Sequence, residues 1–214
     1  MSLRTDAKAC YGVIILAAGS SKRMGSTNKL LAVLPDGPRE SILKSSTKHA
    51  LSAIEHDKCP GYLMVVTGHA HADVQKELSS LFVECVYNSD AGSGMASSLQ
   101  VGLEHLQQKA NQENKHLDFI VVCLGDMPHV QPETIVQLID ARLDDTQRDF
   151  IVPVTNGQRG NPVLIGHPFF DKINELTGDV GARRLIQKNP AATYELVVSD
   201  SAILKDYDVP SDFT

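Results

Sequence analysis

Short apolar, β-branched runs recur along the chain: "GVIILA" (12–17), "YLMVVT" (62–67), "LFVECV" (81–86), "DFIVVCLG" (118–125), "DFIVPV" (149–154) and "PVLI" (162–165). Between most of them, at 41–54, 70–80, 95–109 and 132–143, Leu, Ile or Val return at three- and four-residue spacing. Strand then helix, repeated, restricts the chain to an α/β fold with a mostly parallel sheet, because a parallel crossover needs a returning helix and those helices then cover both faces. The early runs are apolar throughout instead of alternating, as strands buried on both faces are. The expected architecture is a single-domain, Rossmann-like three-layer sandwich over residues 1–214, with "DFIVVCLGD" as a central strand.

Local signals agree with that order. Ser41 precedes "ILKSSTKHAL" as an N-cap, and Pro132-Glu133 opens "PETIVQLIDARL", where proline needs no N–H and the acid favours the helix dipole. Polar "QQKANQENKH" (107–116) reads as a surface connection. Neither an internal repeat nor a linker divides the sequence, so one domain is expected.

Composition then narrows the class. Of 214 residues, 42% are apolar and 21% charged, ordinary globular usage in a chain long enough to bury a core without disulfides or metal staples. A net charge of −6 argues against a nucleic-acid binder, which needs a basic patch to displace counterions. No apolar run approaches the roughly 18 residues of a membrane span. The polar start "MSLRTDAKAC" has no signal-peptide core, so a cytoplasmic location is expected. Cys10, Cys59, Cys85 and Cys123 are far apart and read as free thiols, the last two inside strand-like runs.

In open α/β sheets, ligands collect outside the carboxyl ends of the strands, which singles out the loops 18–29, 68–70, 88–98 and 125–130. The first, within "LAAGSSKRMGSTNK" (16–29), is neither a P-loop nor a dinucleotide fingerprint, since five residues separate Gly19 from Gly25 where a P-loop has four, and no G-x-G-x-x-G occurs. Lys22, Arg23 and Lys29, with the backbone at Gly19, Ser20 and Ser21, suit a triphosphate; a solvated cationic loop is the plain alternative. Asp126 in "CLGDMPHV" follows a strand at its carboxyl end, and one such carboxylate with substrate phosphates is enough to start a magnesium site. A turn aspartate making local hydrogen bonds is the alternative there. Asp206, Asp208 and Asp212 in "KDYDVPSDF" offer a second carboxylate or an acidic tail. His69 and His71 lack a third ligand and read as a polar loop, while Met24, Met95 and Met127 read as packing under loops.

Taken in order, "LAAGSSKRMGSTNK", "NSDAGSGMASSLQVGL" (88–103), "LGDMPHV", "GNPVLI" (160–165), "GDVGARRLI" (178–186) and "DYDVPSDF" span about residues 12–213. With them the chain resembles the molybdenum cofactor cytidylyltransferases and their MobA-like relatives, nucleotidyltransferases of glycosyltransferase-A-like fold. Ala18, where the guanylyltransferase branch usually has glycine, favours the cytidine side. Two departures stand out. Three residues separate Gly25 from Lys29 where the family has two, and Asp206-Tyr207-Asp208-Val209-Pro210-Ser211-Asp212 replaces D-x-D-T-P-E-D.

The resemblance implies transfer of CMP from CTP to the terminal phosphate of molybdopterin or its molybdenum-loaded form, with release of pyrophosphate and with Mg2+ or Mn2+ as cofactor. It implies Arg23 on the leaving phosphates, Lys29 at the α-phosphate, and Asp126 with Asp208 as metal ligands, Asp206 in reserve. The base is expected between Leu16, Ala17, Ala18 and Gly19 and the turn carrying Gly94, Ser97 and Ser98. Asn161, Pro162 and Arg183 or Arg184 would shape the acceptor side, and a molybdenum hydroxylase or its chaperone would be a transient partner. The alternatives are a guanylyl- or sugar-nucleotidyltransferase of the same fold, or a non-catalytic accessory protein that binds the cofactor.

Overall fold

The computed structural model describes residues 9–19, 28–34, 39–56 and 61–207. Among the described residues eight strands make one sheet: β1 Tyr11–Ala17, β2 Tyr62–Thr67, β3 Glu84–Tyr87, β4 Phe119–Leu124, β5 Phe150–Thr155, β6 Gln158–Arg159, β7 Val163–Gly166 and β8 Thr193–Val197. β1 lies in the middle, parallel to both β2 and β4, with Ile14 opposite Met64 on one side and Val122 on the other. β3 extends the parallel part beyond β2. β7 then runs antiparallel between β4 and β5, and β8 is parallel to β5. Phe150 pairs with both Ile165 and Thr193, and Val154 with both Arg159 and Val197, so β6 and β7 share one edge of β5 and β8 takes the other.

Each face of the sheet has its own core. Val13, Ile15, Val65 and Val121 point to one side and pack with Leu43 and Ala50 of α1 (Ile42–His56), Val74 of α2 (His71–Leu78) and Leu138 and Ile139 of α4 (Pro132–Asp144). Ile14, Met64, Val66, Ile120 and Val122 point to the other. They meet Leu99, Leu103 and Leu106 of α3 (Met95–Gln112), Phe170 of α5 (Phe170–Asn174) and Leu185 of α6 (Gly181–Lys188). Successive residues of one strand thus serve opposite cores, which is why β1 and β4 carry no polar alternation. The result is the expected three-layer sandwich.

Both helix starts form as the sequence implies. Ser41 Oγ accepts from the Lys44 N–H at 3.2 Å, and Pro132 and Glu133 occupy the first turn of α4. The start of α4 is also capped from a distance: Asp200 Oδ2 accepts from the Gln131 N–H and the Thr134 hydroxyl, each at 2.9 Å.

Two expectations need correction. The stretch 107–116 is not a connection throughout, because α3 continues to Gln112. Leu106 and Ala110 keep its buried stripe in register, while Gln, Lys and Ala are good helix formers whose polar groups face water. The run 81–86 is a strand only in its second half. A helical turn, Ser79–Leu81, ends on Phe82, whose left-handed backbone (φ 52) turns the chain and leaves its ring 97% exposed, so β3 begins at Glu84. Strands β6 and β8 and helices α5 and α6 add to the expected set.

Cys10 and Cys123 are buried, Cys85 is half-buried, and all three are free thiols; burial pushes the Cys123 thiol up to about 12. Among the described residues no helix is long and apolar enough to cross a membrane.

Candidate functional site

The parallel strands β1 to β4 end side by side, and the loops that leave them meet. The Gly125 N–H donates to Leu16 O at 3.0 Å, joining the ends of β4 and β1. A Cβ on Gly68 would stand 2.7 Å from Ala18 O and 2.9 Å from the Ala91 Cβ, so the loops after β1, β2 and β3 touch where a side chain would hold them apart. Ala17 and Ala18 are buried on this floor, Leu16 is half-buried, and Gly19 opens to solvent.

Lys29 begins a single helical turn, Lys29–Leu31, capped by the Asn28 side chain, which accepts from the Leu30 N–H at 3.1 Å. Its Nζ donates to Asp126 Oδ2 at 2.8 Å, and the two side chains are only 13% and 19% exposed. The extra residue before Lys29 therefore leaves it within reach of the β4 loop. With so little water between them the charges attract more strongly than an exposed pair, and each side chain fixes the other.

The Asp126 loop is fastened from two sides. From α1, Ser46 Oγ donates to Gly125 O at 3.0 Å, Ser45 Oγ donates to Pro128 O at 3.2 Å, and His49 Nδ1 lies 2.9 Å from Val130 O. From the C-terminal side, the Tyr207 N–H donates to Asp126 O at 3.0 Å, and the Tyr207 hydroxyl shares a 2.8 Å hydrogen bond with His129 Nε2. Tyr207 thus reaches the Asp126 loop, and Asp206, its neighbour in the chain, is exposed. Arg23 and Asp208 lie outside the described residues, as do Ser20, Ser21, Lys22, Met24, Gly25 and Asp212.

Across the site, Asn88 organises the turn after β3. It is 3% exposed, its N–H donates to Thr67 O at 2.8 Å, and its Oδ1 accepts from the Asp90 N–H at 2.9 Å. Its Nδ2 donates to Ser97 Oγ at 2.9 Å and Ser98 Oγ at 3.0 Å. Ser97 Oγ also bonds to Asp90 O and Gly94 O, each at 2.9 Å, and Ser98 is buried, so both hydroxyls are engaged within the protein. Gly94, at φ 115, starts α3 and presses against the loop before α6: its Cβ position is 2.6 Å from Gly178 O and 2.8 Å from Asp179 N. That contact joins "GSGM" to "GDVG" and brings Arg183 and Arg184, both exposed on α6, to the same end of the sheet.

His71 is bound into the scaffold, its Nδ1 2.6 Å from Thr67 Oγ1, and His69 is exposed. Among the described residues no three of His, Cys, Asp or Glu converge as metal ligands. Asn161 is half-buried and Pro162 buried across a cis peptide bond; the Asn161 N–H donates to Ile203 O at 3.0 Å. Pro162 also lines a small cavity with His49, Met127 and Ile135. These two residues therefore brace the segment leading to Tyr207 and the underside of the Asp126 loop.

Motif reading passed over Asn88, Ser45, Ser46 and Tyr207. Asn-x-Asp directly after a strand is the pattern of a turn in which the first side chain bonds the backbone two residues on, and it marked Asn88. Serines inside an amphipathic helix carry no comparable mark.

The MobA-like NTP transferase domain matches residues 13–193. The purine catabolism protein PucB of Bacillus subtilis is 32% identical over 213 residues, covering 94% of this chain and 92% of PucB. Among solved structures, Rv0371c of Mycobacterium tuberculosis H37Rv superposes with a TM-score of 0.75 at 26% identity, covering 98% of this chain and 96% of its own. Mth528, a nucleotidyl transferase from Methanothermobacter, superposes with a TM-score of 0.73 at 20% identity over 96% and 94% of the two chains, a likeness of fold. The matched segment runs from within β1 through β7 and holds the Lys29, Gly68, Asn88, Gly94 and Asp126 loops, while Ile203 and the Tyr207 tie lie beyond it.

Proposed function

The chain belongs to the MobA-like NTP transferase family and is a nucleotidyltransferase; from that premise we propose that it transfers CMP from CTP to the terminal phosphate of molybdopterin or its molybdenum-loaded form. The observation that carries this reading is the Lys29–Asp126 contact at the carboxyl ends of β1 and β4. A solvated lysine and a turn aspartate would have no reason to meet across 97 residues as a pair whose side chains are only 13% and 19% exposed. Nucleotidyl transfer needs both a cation for the reacting phosphate and a carboxylate for a metal.

The reaction is an in-line displacement. An oxygen of the acceptor phosphate attacks the α-phosphorus, the bridging bond to the β-phosphate breaks, and its electron pair leaves on pyrophosphate. The acceptor is already anionic at neutral pH, so no strong base is required, and the protein contributes positioning and charge. Lys29 carries a compact cation on a flexible stem and offsets charge building on the α-phosphate. Arg23 keeps its assignment to the leaving phosphates, which a guanidinium fork suits.

Asp126, with Asp208 or Asp206, would hold Mg2+ or Mn2+. Carboxylate oxygens are the donors both ions take, and one or two suffice when phosphate oxygens complete the shell. When bound, the ion offsets repulsion between nucleotide and incoming phosphate. A structure of Rv0371c is a complex with manganese, which supports that choice. The base would rest on Leu16 to Gly19 and the Gly94 turn, with Ser97 and Ser98 entering as the turn's internal brace. Arg183 would meet the acceptor phosphate from α6, Asn161 and Pro162 would support that side, and a molybdenum hydroxylase or its chaperone would receive the product.

Pyrophosphate release with CTP, GTP, UTP and ATP, each with and without molybdopterin, tests the reading. CTP with molybdopterin should give the fastest release. Preference for GTP or UTP would replace it with a guanylyl- or sugar-nucleotidyltransferase. Molybdopterin binding with no metal-dependent pyrophosphate from any nucleotide would make the protein a carrier.

A further inference from the structure

We propose that His116 and His167, with Gln107 and Asn111, form a site for a divalent cation that prefers nitrogen ligands, of the class of Zn2+ and Cu2+. It lies at the opposite end of the sheet from Asp126. His116 stands just ahead of β4 and His167 directly after β7, whereas Asp126 lies beyond the last residue of β4. Roughly 20 Å of strand separates the two places.

Backbone pairing brings the two imidazoles together. β4 and β7 are antiparallel with Phe119 opposite Gly166, and one step further out the His167 N–H donates to Asp118 O at 2.9 Å. The ladder thus fixes both chains where His116 and His167 leave it. Their rings meet edge to face, with centroids 4.2 Å apart and planes at 63°. The His167 ring also touches Phe170, centroids 5.3 Å apart, which restricts its swing.

Both rings line an open cavity of about 300 Å³ together with Gln107, Asn111 and Leu117. Gln107 and Asn111 are four residues apart on α3 and so share one face of it. Among the described residues none of the four polar side chains has a hydrogen-bond partner. Two imidazoles and two amide oxygens are therefore uncommitted around one space. His71 differs, because Thr67 Oγ1 already takes its Nδ1.

The lining decides what can enter. It holds no Lys or Arg for an anion, and the chain as a whole carries −6. An apolar guest would leave four polar groups facing it without compensation. Imidazole nitrogen suits Zn2+ and Cu2+ and not Mg2+, and the space holds an ion with waters to complete its shell. The molecule would thus sort two kinds of ion, oxygen donors at Asp126 for Mg2+ or Mn2+ and imidazoles here for Zn2+. A bound ion would tie the end of α3 to β4 and β7.

The test uses the whole protein with Zn2+ or Cu2+ alone, as wild type, His116→Ala, His167→Ala, the double variant and, for control, His69→Ala. Both site histidines are exposed, so alanine leaves the core intact. Calorimetry should give one Zn2+ per wild-type chain, and the electron paramagnetic resonance of bound Cu2+ should show coupling to two nitrogens. Each single variant should lose about 10- to 100-fold in affinity, since losing a ligand costs at least as much as losing a ligand's support. His69→Ala should match wild type. Zn2+ should slow amide exchange over residues 107–117 in wild type and not in the double variant, and excess Mg2+ should not displace it. Wild-type binding no tighter than that of the double variant, Cu2+ held by oxygen alone, two chains sharing one ion, or affinity lost in His69→Ala would each overturn the site. None of these readouts involves a nucleotide, so the site stands or falls separately from the transferase reading.

Discussion

Replacing Gly94 with alanine should damage the protein more than any other single methyl group added at a loop of the site. At φ 115 and ψ −179 its backbone lies in a region almost closed to residues with side chains, a strain of about 1–3 kcal/mol. The new Cβ would also sit 2.6 Å from Gly178 O and 2.8 Å from Asp179 N. Both are backbone atoms, so no rotamer change relieves the clash, and displacing the loop before α6 adds about 1–3 kcal/mol. The total, about 2–6 kcal/mol, corresponds to a fall in melting temperature of roughly 4–24 °C for a chain of this size. Two controls separate the causes. Gly157, at φ 75 with nothing within 4 Å of its Cβ position, should show only the conformational part, about 1 kcal/mol. Gly92, also with open space but without positive φ, should stay within about 0.5 kcal/mol of wild type. Urea unfolding of the three variants gives the order, and hydrogen exchange over 178–181 shows whether the loop has moved. A Gly94→Ala protein no less stable than Gly157→Ala would refute the idea that the two loops are packed backbone to backbone.

Asn88→Ala should lower stability by about 2–3 kcal/mol and raise the KM for nucleotide, because it removes the amide donor to Ser97 and Ser98 and the acceptor of the Asp90 N–H at once; a urea midpoint equal to wild type would show that the turn braces itself. Asp200→Ala should cost about 1–2 kcal/mol as a lost helix cap, read by thermal melts. For Cys123, the folded protein favours the neutral thiol, raised from 9.0 to about 12, so its contribution is complete below pH 9 and is lost as pH climbs from 9 toward 12. Cys123→Ala should flatten that part of the stability–pH curve, and an equally steep fall would place the titration elsewhere, with Cys10, Cys85 and Tyr62 also shifted upward by burial.

How much could be read from residues alone varied with what a residue packs against. β1, β2 and β4 are buried on both faces, so their apolar runs announced them to within a residue, and the loops at their carboxyl ends followed from the chain order. β8 is an edge strand with Tyr194, Glu195 and Val197 exposed, and an edge needs no apolar run to pair with β5. α3 outran its expected end because surface glutamines and asparagines say nothing about the Leu106 and Ala110 beneath them. At the site, Lys29 and Asp126 belong to motifs and were found as motifs. Asn88, Ser46 and Tyr207 act through partners 9, 79 and 78 residues away, pairings that no local spacing displays.

Metal-dependent pyrophosphate release from CTP and molybdopterin by wild type, Lys29→Met and Asp126→Asn, with CTP affinity measured in parallel, is the most direct test. The pairing of these side chains predicts that Lys29→Met loses about 100- to 1,000-fold in kcat while its CTP affinity changes far less, and that Asp126→Asn no longer responds to Mg2+ or Mn2+. Wild-type turnover with undiminished metal dependence in either folded variant would contradict it.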